Sequence, residues 1–483
     1  MTRKKDMKLN ELTIKEAQEG LRNKKFSSVE LAKACLEQIK KHNPQINAFI
    51  TVCEKEVLQQ AQDADALINN ATIEQWNNRL LLGIPIALKD LFSTKGIRTT
   101  AGSKVLENYI PTYDATVVKK LKNSGAIIIG KTNCDAWAHG SSGENSDFGL
   151  TRNPYNKEYV PGGSSSGSAA ALASNMCLMT TGTDTGGSIR LPASFCNVVG
   201  LKPTYGRVSR YGIISMASSM DSIGHFTKTV EDSALILSVT AGNDSTDATA
   251  PARIVENYTE KLKNKIKGFR IGIPKEYTEQ AVDQEISQAF NKALKELENS
   301  GVSLENISLP HTQYAISVYY IIQPSEVSSN LARYDGIRYG EPRNSFGEEA
   351  KRRIMLGTYT LSAGYYDAYY KKAMQVRTLI KEDFNNAFKK VDAIITPVSP
   401  TPPWKLGEKI NDPLQMYLSD IFTVTANLAG IPGLSVPIGF TSDKLPVGMQ
   451  ILGPQFSEEK LFQAGYAYEQ ATKDEEWRKR KPF

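Results

Sequence analysis

Short apolar runs rich in β-branched residues alternate with amphipathic segments of helical period along most of this chain, and that alternation limits the folds open to it. Strand-like runs fall at 46–52, 84–88, 126–129, 177–181, 269–273 and 391–396, with helical segments such as 115–122 and 230–239 between them. The first ~75 residues read as mainly helical, and Ser27, Ser28, Val29 and Glu30 form a capping-box pattern that opens a helix reaching about Lys41. A long helix is predicted over 365–390 and another over 414–429, followed by strands at 433–439 and 446–452. The order predicts an α/β fold, with a large mixed, mostly parallel central sheet covered by helices on both faces. No Pro/Ser/Gly-rich linker or charge block divides the 483 residues. The expectation is therefore one domain over 1–483, with a mainly helical part at 1–75 and a sheet-and-helix catalytic body at 76–483.

Composition removes several function classes. The 58 basic and 52 acidic residues leave a net charge of +6, with local excess only at Arg3-Lys4-Lys5 and Arg478-Lys479-Arg480-Lys481, so direct nucleic-acid binding is weakly indicated. The five cysteines (Cys35, Cys53, Cys134, Cys177, Cys196) are odd in number and form no C-x-x-C pair, which suits reduced packing residues in a cytosolic protein. No apolar segment follows the basic N-terminal residues and no run of 18 apolar residues occurs, so a soluble cytoplasmic protein without a membrane partner is expected.

Residues 125–132 fit the phosphate-loop pattern G-x-x-x-x-G-K-[ST], yet Ala126, Ile127, Ile128 and Ile129 are an apolar run whose amides a sheet would consume. Gly125 also follows a helical segment rather than a strand, so nucleotide binding is not expected there. More informative is the tract Gly162-Gly163-Ser164-Ser165-Ser166-Gly167-Ser168, repeated in kind by Gly186-Gly187-Ser188 after a small-residue segment. A flexible linker is one reading of such composition. Only seven residues long and set between Asn153-Pro154 turn chemistry and an Ala-rich helix former, it reads better as a place where amides and hydroxyls converge. Of the four histidines (His42, His139, His225, His311) none accompanies a G-x-S-x-G elbow, because Arg190 stands two after Ser188. Another base is needed, and Lys89, at the end of the apolar run 84–88, is placed where α/β sheets build their sites. Lowering its pKa from ~10.4 to about 7 takes roughly 4.6 kcal/mol, within reach of full burial. Standing alone, Lys89 reads more readily as a lysine that snorkels out of a strand end and pairs with Asp90 or another carboxylate.

Lys89 does not stand alone. Residues 85–90, Gly162-Gly163-Ser164-Ser165 and 184–190 together resemble the amidase signature family, whose catalytic lysine, bridging serine and nucleophilic serine occur in this order. Longer stretches at 201–209, 351–359, 362–370 and 427–433 are similar to the A subunits of tRNA-dependent amidotransferases within that family. The resemblance implies the amidase signature fold, with Lys89 as base, Ser164 as relay after a cis peptide bond and Ser188 as the acyl-forming nucleophile. Backbone N–H groups of Thr185, Gly186 and Gly187 would hold the oxyanion. Arg353 would bind the α-carboxylate of glutamine and Asp420 its α-amino group, with Tyr319 a third candidate; read without the resemblance, Arg353 is a surface cation and Asp420 a helix carboxylate. The same resemblance implies a glutaminase without metal or organic cofactor in this chain. Its ammonia would pass to a B subunit that uses ATP and Mg²⁺ to convert misacylated Glu-tRNA(Gln) into Gln-tRNA(Gln), with a small C subunit fastening the assembly. A stand-alone amidase and a non-catalytic scaffold are the alternatives. The chain departs from the family at Ser166, where glycine is common, over 134–140, and in the short segment 341–345.

Overall fold

In a computed structural model, the structure describes residues 8–482 apart from 71, 265, 279–281 and 339. The basic Arg3, Lys4 and Lys5 lie outside the described residues. Among the described residues eleven strands form one sheet: β1 (Phe49–Val52), β2 (Pro85–Lys89), β3 (Ile127–Thr132), β4 (Met179–Asp184), β5 (Val199–Lys202), β6 (Ser222–Thr227), β7 (Arg270–Pro274), β8 (Ser303–Ile307), β9 (Ala393–Pro397), β10 (Gly433–Phe440) and β11 (Pro446–Leu452). Their spatial order is β1-β3-β2-β4-β6-β5-β10-β11-β9-β7-β8. Every residue of β2, β3, β4, β5, β6, β9 and β11 is buried, so the middle of the sheet is covered on both faces and its strands need no apolar–polar alternation.

The sheet is mixed, as expected, but the expectation of mostly parallel pairing is corrected. Parallel pairing joins β3 to β2 and β2 to β4, then β9 to β7 and β7 to β8; every other neighbouring pair among the described residues is antiparallel. Parallel neighbours need a crossover, usually a helix, whereas antiparallel ones can return directly. β10 returns as β11 through a short turn, and β5 reaches β6 without an intervening helix. β5, β6 and β8 carry glycine or several polar residues, which hid them from the hydropathy pattern.

Residues 127–132 of the phosphate-loop match form strand β3, as the apolar run demanded. The predicted 365–390 helix is a single π-helical stretch, Asp367–Lys371, running into the helix Lys372–Ala387. The predicted 414–429 helix is two short helices, Pro413–Leu418 and Val424–Ala429, and the buried Asp420 lies in the break between them. All five cysteines are buried free thiols, and no helix of the described residues is long and apolar enough to cross a membrane.

The N-terminal helices are tied to the body by side chains from far along the chain. Ser27 and Glu30 form the capping box of the helix Ser28–Ile46. The helix Ile14–Arg22 is capped at long range: the Ile14 and Lys15 N–H groups donate to Asp232 at 2.9 and 3.1 Å. A carboxylate at a helix N-terminus satisfies orphan donors and faces the positive end of the helix dipole. Asp232→Ala is therefore expected to cost about 1–2 kcal/mol, seen as faster amide exchange over 14–22 together with a lower urea midpoint.

Candidate active site

β2 runs parallel to β4, with Ile86 opposite Met179 and Ala87 opposite Thr180, so Lys89 and Asp184 emerge at the same edge of the sheet. Into that edge the chain brings the turn before the helix Ser166–Ala173, in which the Gly163–Ser164 peptide bond is cis. Lys89 Nζ then lies 2.9 Å from Ser164 Oγ, 2.9 Å from Ser165 Oγ and 2.8 Å from Thr183 Oγ1. The lysine is wholly buried, and burial pulls its pKa down to about 8 against the pull of Asp135, Asp184 and Asp221. The alternative pairing with Asp90 does not occur, because Asp90 faces Lys131 at 3.2 Å. An ammonium would donate to all three hydroxyls, whereas a neutral amine donates to two and accepts from the third. Either state is satisfied, so the group exchanges a proton without losing a partner.

The two serines beside Lys89 are not equivalent. Ser165 Oγ also donates to the Thr183 carbonyl at 3.2 Å and accepts from the Thr183 N–H at 3.4 Å. Ser164 Oγ has Lys89 as its one hydrogen-bond partner among the described residues, leaving capacity for a second hydroxyl. The neighbouring tract supplies a candidate: the Ser165 N–H donates to the Ser188 carbonyl at 3.2 Å. Ser188 is only half-buried in a segment that is otherwise almost wholly buried, and its hydroxyl has no hydrogen-bond partner among the described residues. Ser166 takes no part; its hydroxyl donates to Thr151 Oγ1 at 3.3 Å.

The loop that carries Ser188 is held from inside by Asp184. This carboxylate accepts from the N–H groups of Gly187 (2.9 Å), Ile189 (3.1 Å) and Arg190 (3.3 Å). It also pairs with Arg190 through Nε (3.1 Å) and Nη2 (3.0 Å), while Arg190 reaches Gln450 and Asn427. Burial pushes the Asp184 carboxyl up, but Arg190 outweighs it and holds the pKa at about 2. The expected oxyanion donors are thereby sorted. Of these, the Gly187 N–H is engaged by Asp184. The N–H groups of Thr185 and Gly186, and that of Ser188, which the sequence reading did not include, have no hydrogen-bond partner among the described residues. Gly186 is fixed on its other side, where its carbonyl accepts from Thr423 Oγ1 at 2.6 Å. A Cβ at Gly186 would lie 2.7 Å from the Tyr319 hydroxyl, so only glycine fits against that ring.

Arg353 and Asp420, far apart in sequence, converge beside this loop. Asp420 Oδ2 accepts from Ser141 Oγ at 2.6 Å, the Ser141 carbonyl accepts from the Gly163 N–H at 2.8 Å, and Thr423 Oγ1 bonds both the Asp420 and Gly186 carbonyls. Burial pushes Asp420 up to about 7, with Ser141 and Arg353 opposing. Arg353, also buried, donates through Nε to Glu349 (2.7 Å) and through Nη1 to Gln323 (2.8 Å), and its guanidinium faces the rings of Tyr320 and Tyr417. A cavity of about 240 Å³ opens here, lined by His139, Ser141, Tyr320, Arg353 and Tyr417 among others. Tyr319 is buried against Gly186 and its hydroxyl makes no hydrogen bond to the described residues. The sequence reading missed Ser165, Thr183, Ser141 and Thr423. Asp184 stood in the 184–190 motif without a role, and its place beside Arg190 was the one local signal.

The Amidase family model matches residues 30–462. The chain is 52% identical over 481 residues to the A subunit of glutamyl-tRNA(Gln) amidotransferase from Desulfatibacillum aliphaticivorans, covering 96% of this chain and 98% of that protein. The crystal structure of the corresponding A subunit of glutamyl-tRNA(Gln) amidotransferase from Thermotoga maritima is similar at a TM-score of 0.80, 44% identity and 96% coverage of each chain. The native peptide amidase of Stenotrophomonas maltophilia is similar at a TM-score of 0.84, 30% identity and 98% coverage of each.

Because Asp184 and Arg190 are both wholly buried, deleting one strands the other. Arg190→Leu is expected to destabilise the protein by about 3–5 kcal/mol, measured as a lowered urea midpoint.

Proposed function

The chain belongs to the Amidase family, and on that premise we propose that it is the glutamine-hydrolysing A subunit of a glutamyl-tRNA(Gln) amidotransferase. The observation that carries the chemistry is Lys89: a buried amine whose hydrogen-bond partners among the described residues are all hydroxyls, with no carboxylate among those residues in contact to hold it charged. Such a group serves as a base near neutral pH. The buried Arg353 and Asp420 supply the opposite charges that the two α-substituents of a free amino acid need. Higher identity to the amidotransferase proteins than to the peptide amidase supports this reading over a stand-alone amidase.

In the proposed reaction Ser188 Oγ attacks the side-chain carboxamide carbon while its proton passes to Ser164 and the Ser164 proton to Lys89. Ser164 is the relay rather than Ser165 because its hydroxyl is not already bound to Thr183. The oxyanion is held by N–H groups of Thr185, Gly186 and Ser188, each such donor being worth about 2.7–4 kcal/mol in the transition state. The proton returns through Ser164 to the departing ammonia, and water then hydrolyses the γ-glutamyl ester to glutamate by the same relay. The ammonia would pass to a B subunit holding ATP and Mg²⁺, which amidates Glu-tRNA(Gln) in the cytoplasm, with a C subunit joining the two.

The test is ammonia release from L-glutamine by the chain with its partner subunits. Ser188→Ala is expected to abolish release and the covalent ester, observable by mass spectrometry. Lys89→Met and Ser164→Ala should each lower kcat/KM by about 10²–10⁴, and Ser165→Ala by much less. Equal losses at Ser164 and Ser165 would remove the distinction between them. The active form carries neutral Lys89, whose pKa is about 8, so kcat/KM should rise with pH and level off above about 8. Asp420, at about 7, must be ionised to hold an ammonium, so KM should also increase as pH falls through that value. A flat profile across this window would refute both roles.

A further inference from the structure

Two buried side chains, one lining the cavity beside Arg353 and one bonded to Arg353 itself, have unused hydrogen-bonding groups. Neither ring nitrogen of His139 has a partner, although His139 is wholly buried and lines the cavity. The Gln323 amide nitrogen is likewise unpartnered, and Gln323 is wholly buried too. An orphaned buried polar group costs about 1–3 kcal/mol, so a folded protein that keeps two near one cavity has a use for them. The orientation of Gln323 is fixed by chemistry: its oxygen accepts from Arg353 Nη1 at 2.8 Å, and a guanidinium has no acceptor for an amide N–H. Its nitrogen therefore faces away from Arg353 with free N–H groups. Burial pulls the His139 pKa well below its usual value, and Arg353 adds to that effect, so the ring is neutral with one N–H donor. Arg353 itself has Nε on Glu349 and Nη1 on Gln323, and its Nη2 makes no hydrogen bond to the described residues.

His139 and Arg353 thus line one cavity, with Gln323 bonded to Arg353, and among the described residues the carboxylate bonded to Arg353 is the half-buried Glu349 on its own helix. From this geometry we infer that His139 and Gln323 complete, with Arg353 Nη2, a three-donor cradle for the α-carboxylate of glutamine, making them substrate-specificity residues of this chain. The inference rests on the glutaminase reading above. A carboxylate has about four lone-pair directions and takes all three donors. His139 lies in the segment 134–140, where the sequence departs from the family pattern, so the cradle is a property of this chain's own residues.

The experiment compares L-glutamine with 4-aminobutanamide, which keeps the carboxamide and the amine but lacks the carboxylate, using the assembled complex. A hydrogen bond to a charged group is worth about 10- to 100-fold, so His139→Met and Gln323→Ala should each raise KM for glutamine by that factor with kcat little changed. Turnover of 4-aminobutanamide should stay within about threefold of wild type, which also reports that each variant is folded. Gln323→Glu, which sets a carboxylate against the substrate's own, should reject glutamine more strongly and still accept the analogue. Equal losses on both amides, or no change on either, would overturn the cradle while leaving the glutaminase standing. Absence of ammonia release from glutamine by the wild-type complex would instead overturn the functional reading itself.

Discussion

The buried Asp184 carboxylate is the point on which the loop bearing Ser188 depends. It accepts from the N–H groups of Gly187, Ile189 and Arg190, while those of Thr185, Gly186 and Ser188 have no hydrogen-bond partner among the described residues. A carboxylate in that position needs a countercharge, and Arg190 supplies it from the first residue of the following helix, Arg190–Phe195. The Coulombic gain of a buried pair is largely offset by the cost of taking both ions out of water. What the pair contributes is direction: a turn whose amides would otherwise rotate is held with one set of donors consumed and the other set free. Gln450 and Asn427 restrain the arginine in turn.

Lys89 is treated in the opposite way, and its neighbour shows how deliberate the difference is. Lys131 lies on the adjacent strand, opposite Leu88, and is equally buried. It meets Asp90 at 3.2 Å, the Phe92 carbonyl at 2.8 Å and Thr99 at 2.6 Å, a set of acceptors that suits an ammonium. Lys89 meets hydroxyls alone. Two lysines on neighbouring strands of one sheet thus differ in the sign of their immediate surroundings, and the one without a carboxylate is the one whose proton is free to move. Beside the cavity, Arg353 faces the rings of Tyr320 and Tyr417, which stack at 3.6 Å between centroids, and the Tyr320 hydroxyl reaches Asp420 at 3.5 Å.

Much of this was legible in the chain because local chemistry carried it. Strand β2 ends on Lys89 because an apolar run ends there, and the Gly/Ser tract announces a turn with hydroxyls. The capping box at Ser27 and Glu30 formed as written. What was illegible depends on neighbours supplied from elsewhere. Thr183 reads as an ordinary β-branched strand residue until β2 is laid beside β4. Gln323 reads as a polar position in an apolar helix until Arg353, 30 residues on, donates to it. The Gly187 amide looked like any other in its turn, because sequence order does not say that the Asp184 carboxylate folds back onto it. Parallel pairing was overestimated for a related reason: β5 and β6 lack the hydropathy of buried strands, and their insertion between β4 and β10 makes the centre of the sheet antiparallel.

The restraints on Arg190 have a temporal side. Asn427 and Gln450 lie 237 and 260 residues beyond the arginine they hold, so the loop bearing Ser188 has no settled shape while the chain is still being made. Domains fold as units once their contacts are available, and these arrive near the end of synthesis. Lys89 and Ser188 both lie within the first half of the chain, whereas Asn427 and Gln450, which hold Arg190, lie in its last fifth. A chain that ends before Asn427 therefore lacks both restraints on Arg190.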